Sequence, residues 1–208
     1  MKNPWEEISL DDYENHMKLD SVQQLQTMNT MMKEQFFQYP VKSIMVLGIA
    51  GGNGLEHIDF RVEKVYGVDI NREYLEECRK RYPQLEGILE LLCVDLTKDI
   101  EPLIHADLVV ANLLMEYIGY ECFQEVILKV KPQYVSCIIQ INTDTSFVSD
   151  SPYLHVFDDL DRVHHQMEEQ PLTDAMERID YKAELQKEES LPNGKKLVRL
   201  DFKHTFQS

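Results

Sequence analysis

Three observations predict a doubly wound α/β fold. Short apolar runs alternate with helical stretches through the middle of the chain, a glycine-rich turn follows the first run, and a reversal signal splits the last thirty residues into two strand-like halves. The apolar runs are Ser43–Leu47, Val65–Val68, Leu89–Val94, Leu108–Ala111 and Tyr134–Ile141. Runs this short and this apolar suit strands buried on both faces of a parallel sheet. The stretches between them read as a helix opening at Leu55, a helix over Arg72–Tyr82, a short turn near Lys98–Leu103 and a helix over Tyr117–Val130. At the end, Asp180–Glu189 and Lys195–Phe206 flank Leu191-Pro192-Asn193-Gly194. Pro-Asn-Gly marks a tight reversal, so these two runs predict an antiparallel hairpin. Ile179, Tyr181, Ala183 and Leu185 alternate on one half, and Val198, Leu200, Phe202 and Phe206 line one face of the other. The expected sheet has seven strands, five parallel plus the hairpin.

The first 40 residues read as helical and form a separate unit, residues 1–40 capping a domain of residues 41–208. Val22, Leu25, Met28, Met32 and Phe36 recur at steps of three or four, the mark of one apolar helix face, with Asp20 or Ser21 as N-cap. A shorter helix over Leu10–Met17 precedes it, capped by Ser9.

Composition bounds the function. At 208 residues the chain suits one domain with a small cap. A net charge of -16, from 37 acids against 21 bases, argues against nucleic acid as the main partner, because affinity for phosphate backbones comes mostly from Lys and Arg. No apolar run approaches the roughly 20 residues of a membrane helix, and the acidic N-terminus lacks a signal-peptide core. The expectation is a cytoplasmic protein without membrane contact. Cys78, Cys93, Cys122 and Cys137 form no CxxC pair and read as reduced thiols.

The chemistry starts at Gly48-Ile49-Ala50-Gly51-Gly52-Asn53-Gly54, directly after the first strand. Glycines there let the backbone approach a ligand, and the helix expected at Leu55 would favour a negative group nearby. The second strand ends at Asp69, the position whose acid takes ribose hydroxyls in doubly wound nucleotide folds, and Ile70 can cover a purine face. The third strand ends at Asp95-Leu96, suited to an exocyclic amine, and the fourth at Asn112. All four features fall on the carboxyl edge of the sheet. The loop has no G-x-G-x-x-G register for NAD and no G-x-x-x-x-G-K-[ST] phosphate loop.

With these residues in place, the chain resembles the class I S-adenosylmethionine-dependent methyltransferases, over about residues 40–206. The family's loop, acid-x-Gly-x-Gly-x-Gly, falls on Gly48-x-Ala50-x-Gly52-x-Gly54, and its later acids fall on Asp69 and Asp95. Its fourth-strand segment falls on Ala106–Leu114. Gly48 replaces the loop acid and Ala50 the first glycine, the latter compatible with a negative φ. The resemblance implies a Rossmann-like sheet and S-adenosylmethionine as cofactor, with S-adenosylhomocysteine as product. It places the methionine moiety on the backbone of Gly48, Ile49, Ala50 and Gly52, with Asn53 alongside. Asp69 takes the ribose diol, with Ile70 against the adenine. Asp95 and Leu96 hold the adenine edge, and Asn112 stands beside the sulfonium.

The acceptor is less determined. Relatives that methylate base amino groups or glutamine carry Asn/Asp-Pro-Pro-Tyr/Phe after the fourth strand, where this chain has Asn112-Leu113-Leu114-Met115. The expected acceptor is a small molecule; the alternatives are a protein or RNA acceptor, or a non-catalytic adenosylmethionine-binding protein. Trp5, Tyr13, His16 and Met17 form a cluster in the N-terminal cap, where Tyr13 and His16 share a helix face and His16 is a candidate base. Glu116 and Tyr117, just beyond the fourth strand, are placed to reach the pocket, Glu116 as a further catalytic candidate with helix N-terminal charge as its alternative, and Asn142–Tyr153 is long enough to form another wall. His155 to His165 holds Asp161 and His165 at helical i,i+4 spacing, a pattern that suits zinc but more often marks a solvated acidic helix. No metal site is assigned. From Asp150 to Ser190 there are twelve acids against four bases, a charge that disfavours anionic substrates.

Overall fold

The computed structural model describes residues 2–142 and 148–205. Seven strands form one sheet: β1 (Ser43–Leu47), β2 (Lys64–Asp69), β3 (Leu89–Cys93), β4 (Leu108–Asn112), β5 (Tyr134–Ile141), β6 (Tyr181–Ser190) and β7 (Lys196–His204). Their order is β3-β2-β1-β4-β5-β7-β6. The first five pair in parallel, and β7 pairs antiparallel with both β5 and β6. The fold class is the expected one. Order reverses between β1 and β4, so the loops after these strands part there and open a crevice at the carboxyl edge.

Alternation along the strands divides the core into two layers. Met45, Leu47, Val109, Ala111, Val135 and Cys137 face α4 (Met115–Val130) and α5 (Glu169–Glu177). Ile44, Val46, Val65, Leu108, Val110 and Ile138 face the other way, against α2 (Gln24–Gln38) and α3 (Arg72–Arg81).

The helix expected at Leu55 is absent: Leu55–His57 is a single 3₁₀ turn. Its apolar residues are too few to span a crossover, and α2 supplies the missing layer. Met28, Met31, Met32 and Phe36 pack on β1 and β2, and Met32 lies against Gly54. Polar contacts fix this arrangement, since Asn29 donates to Asn53 (2.9 Å) and Glu56 (2.6 Å). The connection from β3 to β4 is also non-helical, as its turn signals suggest.

The shorter N-terminal helix α1 is Leu10–Lys18, and Ser9 Oγ accepts from Asp12 N as expected. For α2 the expected caps are wrong. It starts at Gln24, behind Gln23 at φ 49°, with no side-chain cap, because burial of its methionine face rather than capping holds it. The helix α4 breaks at Gly119 (φ 72°), which separates the turn carrying Glu116 and Tyr117 from the body of the helix. Leu154–Arg162 is 3₁₀ rather than the expected α-helix, and His164 and His165 lie beyond its end. The helical register between Asp161 and His165 is therefore lost, and among the described residues no three metal-ligating groups converge. Phe206 lies outside the described residues. No described helix is long and apolar enough to cross a membrane.

Gly52 and Gly87 have nearly the same φ, 87° and 89°, but different surroundings. A Cβ on Gly52 would lie 2.7 Å from Tyr82 Cε2 and 2.8 Å from Cys78 Sγ, whereas a Cβ on Gly87 meets nothing within 4 Å. Gly87→Ala is expected to cost about 1 kcal/mol of backbone strain, and Gly52→Ala at least about 1 kcal/mol more. Urea unfolding of the two variants checks the difference.

Candidate cofactor and acceptor sites

The crevice at the switch point is a cleft of about 700 Å³. Seven of the ten residues expected at a cofactor line it: Gly48, Ala50, Asp69, Ile70, Asp95, Leu96 and Asn112. The other three do not. Ile49 is buried against Gly67 in the α2–α3 layer, and Gly52 packs on Cys78 and Tyr82 of the α3 region. The Asn53 amide donates to Leu25 O and faces α2. Alternation through the loop explains this: Gly48 and Ala50 face the cleft and their neighbours face the core. The glycines at 52 and 54 serve packing of the loop on α3 and α2.

Asp69 is the most constrained group in the cleft. Its Oδ2 accepts from Ala50 N and its Oδ1 from Asn71 N, both at 2.9 Å. These bonds favour the carboxylate, but burial outweighs them and raises its pKa to about 6. About two acceptor positions remain, the number a vicinal diol needs. Ala50 sits at φ 47°, contrary to the negative φ expected of it, and so carries left-handed strain in a non-glycine residue. The hydrogen bond from Ala50 N to Asp69 is what the loop gains from that conformation.

Asp95 is more engaged. Thr97 donates to Oδ1 from both its N and Oγ1, and Lys98 Nζ donates to Oδ2 at 2.6 Å. Burial raises its carboxyl, and these donors more than offset that, holding it below the usual range. The Asn112 amide pairs with the Gln35 amide in both directions, at 2.9 and 3.0 Å. Gln35 also donates to Ser136, which bonds Asp201, itself clamped by Arg199. All four of these partners are fully buried. The network escapes sequence reading because Arg199 and Asp201 occupy the polar phase of the β7 alternation, which α2 covers instead of solvent.

The N-terminal segment closes one side of the cleft. Asn3, Trp5 and Tyr13 line it, with Tyr74, Thr97, Leu113, Leu114 and Tyr117 opposite and around. Three polar contacts anchor this segment to α3. Asn71 Nδ2 donates to Trp5 O (2.9 Å), Tyr74 OH to Ile8 O (2.8 Å) and Arg81 to Glu14 (2.5 Å). Asn71 also caps α3 through its Oδ1, a double role that an Asn after a strand-end acid signals.

Beyond Trp5, Tyr13, Leu113 and Tyr117, which border both spaces, lies a second cavity of about 560 Å³. His16, Met17, Gln24, Glu116, Gln140, Asn142, Phe157, Leu160 and His164 complete its lining, with Val148. Trp5 meets Tyr117 edge-on at 4.9 Å and Tyr13 at 5.3 Å. Burial lowers the His16 pKa, and its Nδ1 is bonded to Ser151 Oγ at 2.8 Å. Glu116 is buried; its Oε1 accepts from Gln140 N (2.9 Å), and Oε2 has no hydrogen-bond partner among the described residues. Burial raises its pKa to about 7. Of the expected wall Asn142–Tyr153, Asn142, Val148 and Ser151 reach this region, and residues 143–147 lie outside the described residues.

Residues 45–133, which hold the first four strands and the cleft loops, match a family model described as a methyltransferase domain. This segment is similar to a methyltransferase domain. A search of curated protein sequences finds no match to the chain. Solved structures share its fold. The methyltransferase domain of bacterial CtHen1-C is 18% identical with a TM-score of 0.64, covering 95% of this chain and 100% of that one. Magnesium protoporphyrin IX methyltransferase from Synechocystis PCC 6803, solved with bound S-adenosylhomocysteine, is 11% identical with a TM-score of 0.62, covering 88% and 83%. The [4+2]-cyclase SpnF is 8% identical with a TM-score of 0.67, covering 89% and 84%. A cyclase on the same fold means that the fold alone does not set the reaction.

Glu116 has a measurable signature in stability. The native state binds its proton more tightly than the unfolded chain, so this contribution is whole below about pH 4.5 and is lost as pH rises through about 7. Glu116→Gln is expected to stabilise the protein by about 1–3 kcal/mol at pH 8 and by little at pH 4.5, read from unfolding midpoints at both values.

Proposed function

We propose that the chain is a methyltransferase that binds S-adenosylmethionine in the cleft and transfers its methyl group to a small molecule in the second cavity. The observation that carries the cofactor reading is the charge of the cleft. Among its described lining residues Asp69 and Asp95 are charged and none is Lys, Arg or His, and Lys98 beside it is committed to Asp95. No helix of useful length starts at the glycine loop, since Leu55–His57 is one turn. A dinucleotide pyrophosphate on that loop would lack the helix dipole that usually favours it. A ligand with a sulfonium, an ammonium group and a ribose diol suits two carboxylates.

In this reading Asp69 accepts the ribose hydroxyls, Ile70, Val94 and Leu96 flank the base, and Gly48 and Ala50 approach the methionine moiety. The cofactor supplies an activated methyl group, and the protein aligns the acceptor and excludes water. Residues 1–40 act as a lid held by Asn71, Tyr74 and Arg81. The small-molecule reading rests on the second cavity, whose lining by Trp5, Tyr13, Tyr117 and Phe157 suits a small apolar or aromatic body. Four free cysteines, two of them fully buried, suit a reducing cytoplasm.

Asp69→Ala is expected to weaken S-adenosylhomocysteine binding by about 1–3 kcal/mol. In the wild type, affinity should fall about tenfold between pH 7.5 and pH 5 as Asp69 takes up a proton. Asp69→Asn should flatten that dependence. Calorimetric titration reads all three, and a pH-independent affinity in the wild type would count against Asp69 as the ribose partner.

A further inference from the structure

The second cavity holds a group that the fold does not satisfy. Glu116 is 4% exposed, its Oε1 is bonded to Gln140 N, and its Oε2 has no hydrogen-bond partner among the described residues. A buried carboxylate oxygen left unpaired is costly, and such groups mark places where a ligand completes the structure. The described residues of the cavity lining include no Lys or Arg. The titratable groups that share the lining are Tyr13, His16, Tyr117 and His164. Burial is the leading cause lowering the pKa of both histidines and raising that of both tyrosines, so all four favour their neutral forms. Lys195, a buried cation bonded to Asn142 Oδ1 at 3.3 Å, is not among the described lining residues. At Glu116 a donor-bearing or cationic ligand is favoured, while the buried Trp5 Nε1, also without a partner among the described residues, can donate to an acceptor elsewhere on it.

We propose that this cavity takes an amine carried on a flat or apolar body, with the amine on Glu116 Oε2 and the body among Trp5, Tyr117, Phe157 and Leu160. This deepens the methyltransferase reading above and rests on it. Trp5, Tyr13, Leu113 and Tyr117 border both spaces, so the cavity and the cleft adjoin along these side chains.

The chemistry distinguishes an amine from an alcohol. An amine arrives as an ammonium ion and must lose a proton before its lone pair can attack. Burial destabilises every charged form, so it raises a carboxyl pKa and lowers an ammonium pKa until proton transfer between them is nearly balanced. The same burial raises an alcohol's pKa along with that of the carboxyl, so the wide gap between them does not close. In the proposed step the ammonium gives one proton to Glu116 Oε2. The freed nitrogen lone pair forms a bond to the methyl carbon of S-adenosylmethionine. The carbon–sulfur bond breaks with its electron pair left on sulfur, giving neutral S-adenosylhomocysteine and a methylated ammonium product. Glu116 then returns its proton to solvent.

Trp5 is the single tryptophan of the chain and borders both cavities, so its fluorescence reports on each. The full chain is titrated at pH 8 with benzylamine, benzyl alcohol and benzoate, with and without saturating S-adenosylhomocysteine. The expected result is benzylamine binding at least tenfold more tightly than benzyl alcohol, with benzoate weakest. In Glu116→Gln the amine and alcohol should come within threefold of each other, while S-adenosylhomocysteine affinity stays within twofold of the wild type. The wild-type ranking needs no variant and stands even if Glu116→Gln misfolds. Equal or weaker binding of the amine, or no binding of any of the three alongside normal S-adenosylhomocysteine binding, would overturn the amine assignment and leave the cofactor reading intact. Failure of S-adenosylhomocysteine to bind would overturn both.

Discussion

One buried carboxylate holds the site together. Asp69 ends β2 and accepts a backbone N–H from each side of the cleft, from Ala50 in the glycine loop and from Asn71 at the start of α3. The Asn71 side chain then caps α3 and reaches Trp5 O. The loop after β1, the turn after β2, the first turn of α3 and the N-terminal segment are thus connected through two adjacent residues. The conformation of Ala50 at φ 47° makes sense only with this acceptor in place. The carboxylate that organises the cleft is also the one with acceptor capacity left for a diol, so a ligand there would enter a framework already built.

A second constraint is the missing crossover helix. With only a 3₁₀ turn between β1 and β2, one face of the sheet depends on α2, a helix that comes from before the first strand. This ties the N-terminal segment into the core. The methionines of α2 cover β1 and β2, Gln35 reaches Asn112 at the end of β4, and α1, which precedes α2, brings Tyr13, Glu14 and His16 over the carboxyl edge. The segment that closes the cleft is therefore continuous with one that the fold needs. Arg81 and Glu14 add a charge pair across the join, half screened at the guanidinium and buried at the carboxylate.

The sheet was legible because each strand is a short apolar run with an acid, Asn or turn behind it, and the bounds of β1 and β5 coincide with those runs. Position also made Asp69, Asp95 and Asn112 legible, since a strand end puts them on one edge. Three kinds of feature were not. Leu55-Glu56-His57-Ile58 looks like a helix start because a βα unit normally has one, and nothing local announces that a distant helix replaces it. The glycines of the loop read as one ligand cradle, although Gly52 and Gly54 are glycine because Tyr82, Cys78 and Met32 leave no room for a Cβ. Arg199 and Asp201 look like the solvent phase of a strand, and only the position of β7 inside the sheet buries them. Glu116 lay between two readings, helix-start charge or pocket, until its unpaired oxygen and the cavity beside it were located.

The central claim is that a cleft with Asp69 and Asp95 among its described lining residues, and no helix of useful length starting at its glycine loop, takes an adenosyl sulfonium and not a dinucleotide. Calorimetric titration of the full chain with S-adenosylmethionine, S-adenosylhomocysteine and NAD in parallel tests it most directly. Micromolar binding of the two adenosyl-sulfur compounds with no binding of NAD is the predicted result. Binding of NAD, or no binding of either adenosyl-sulfur compound, would contradict it.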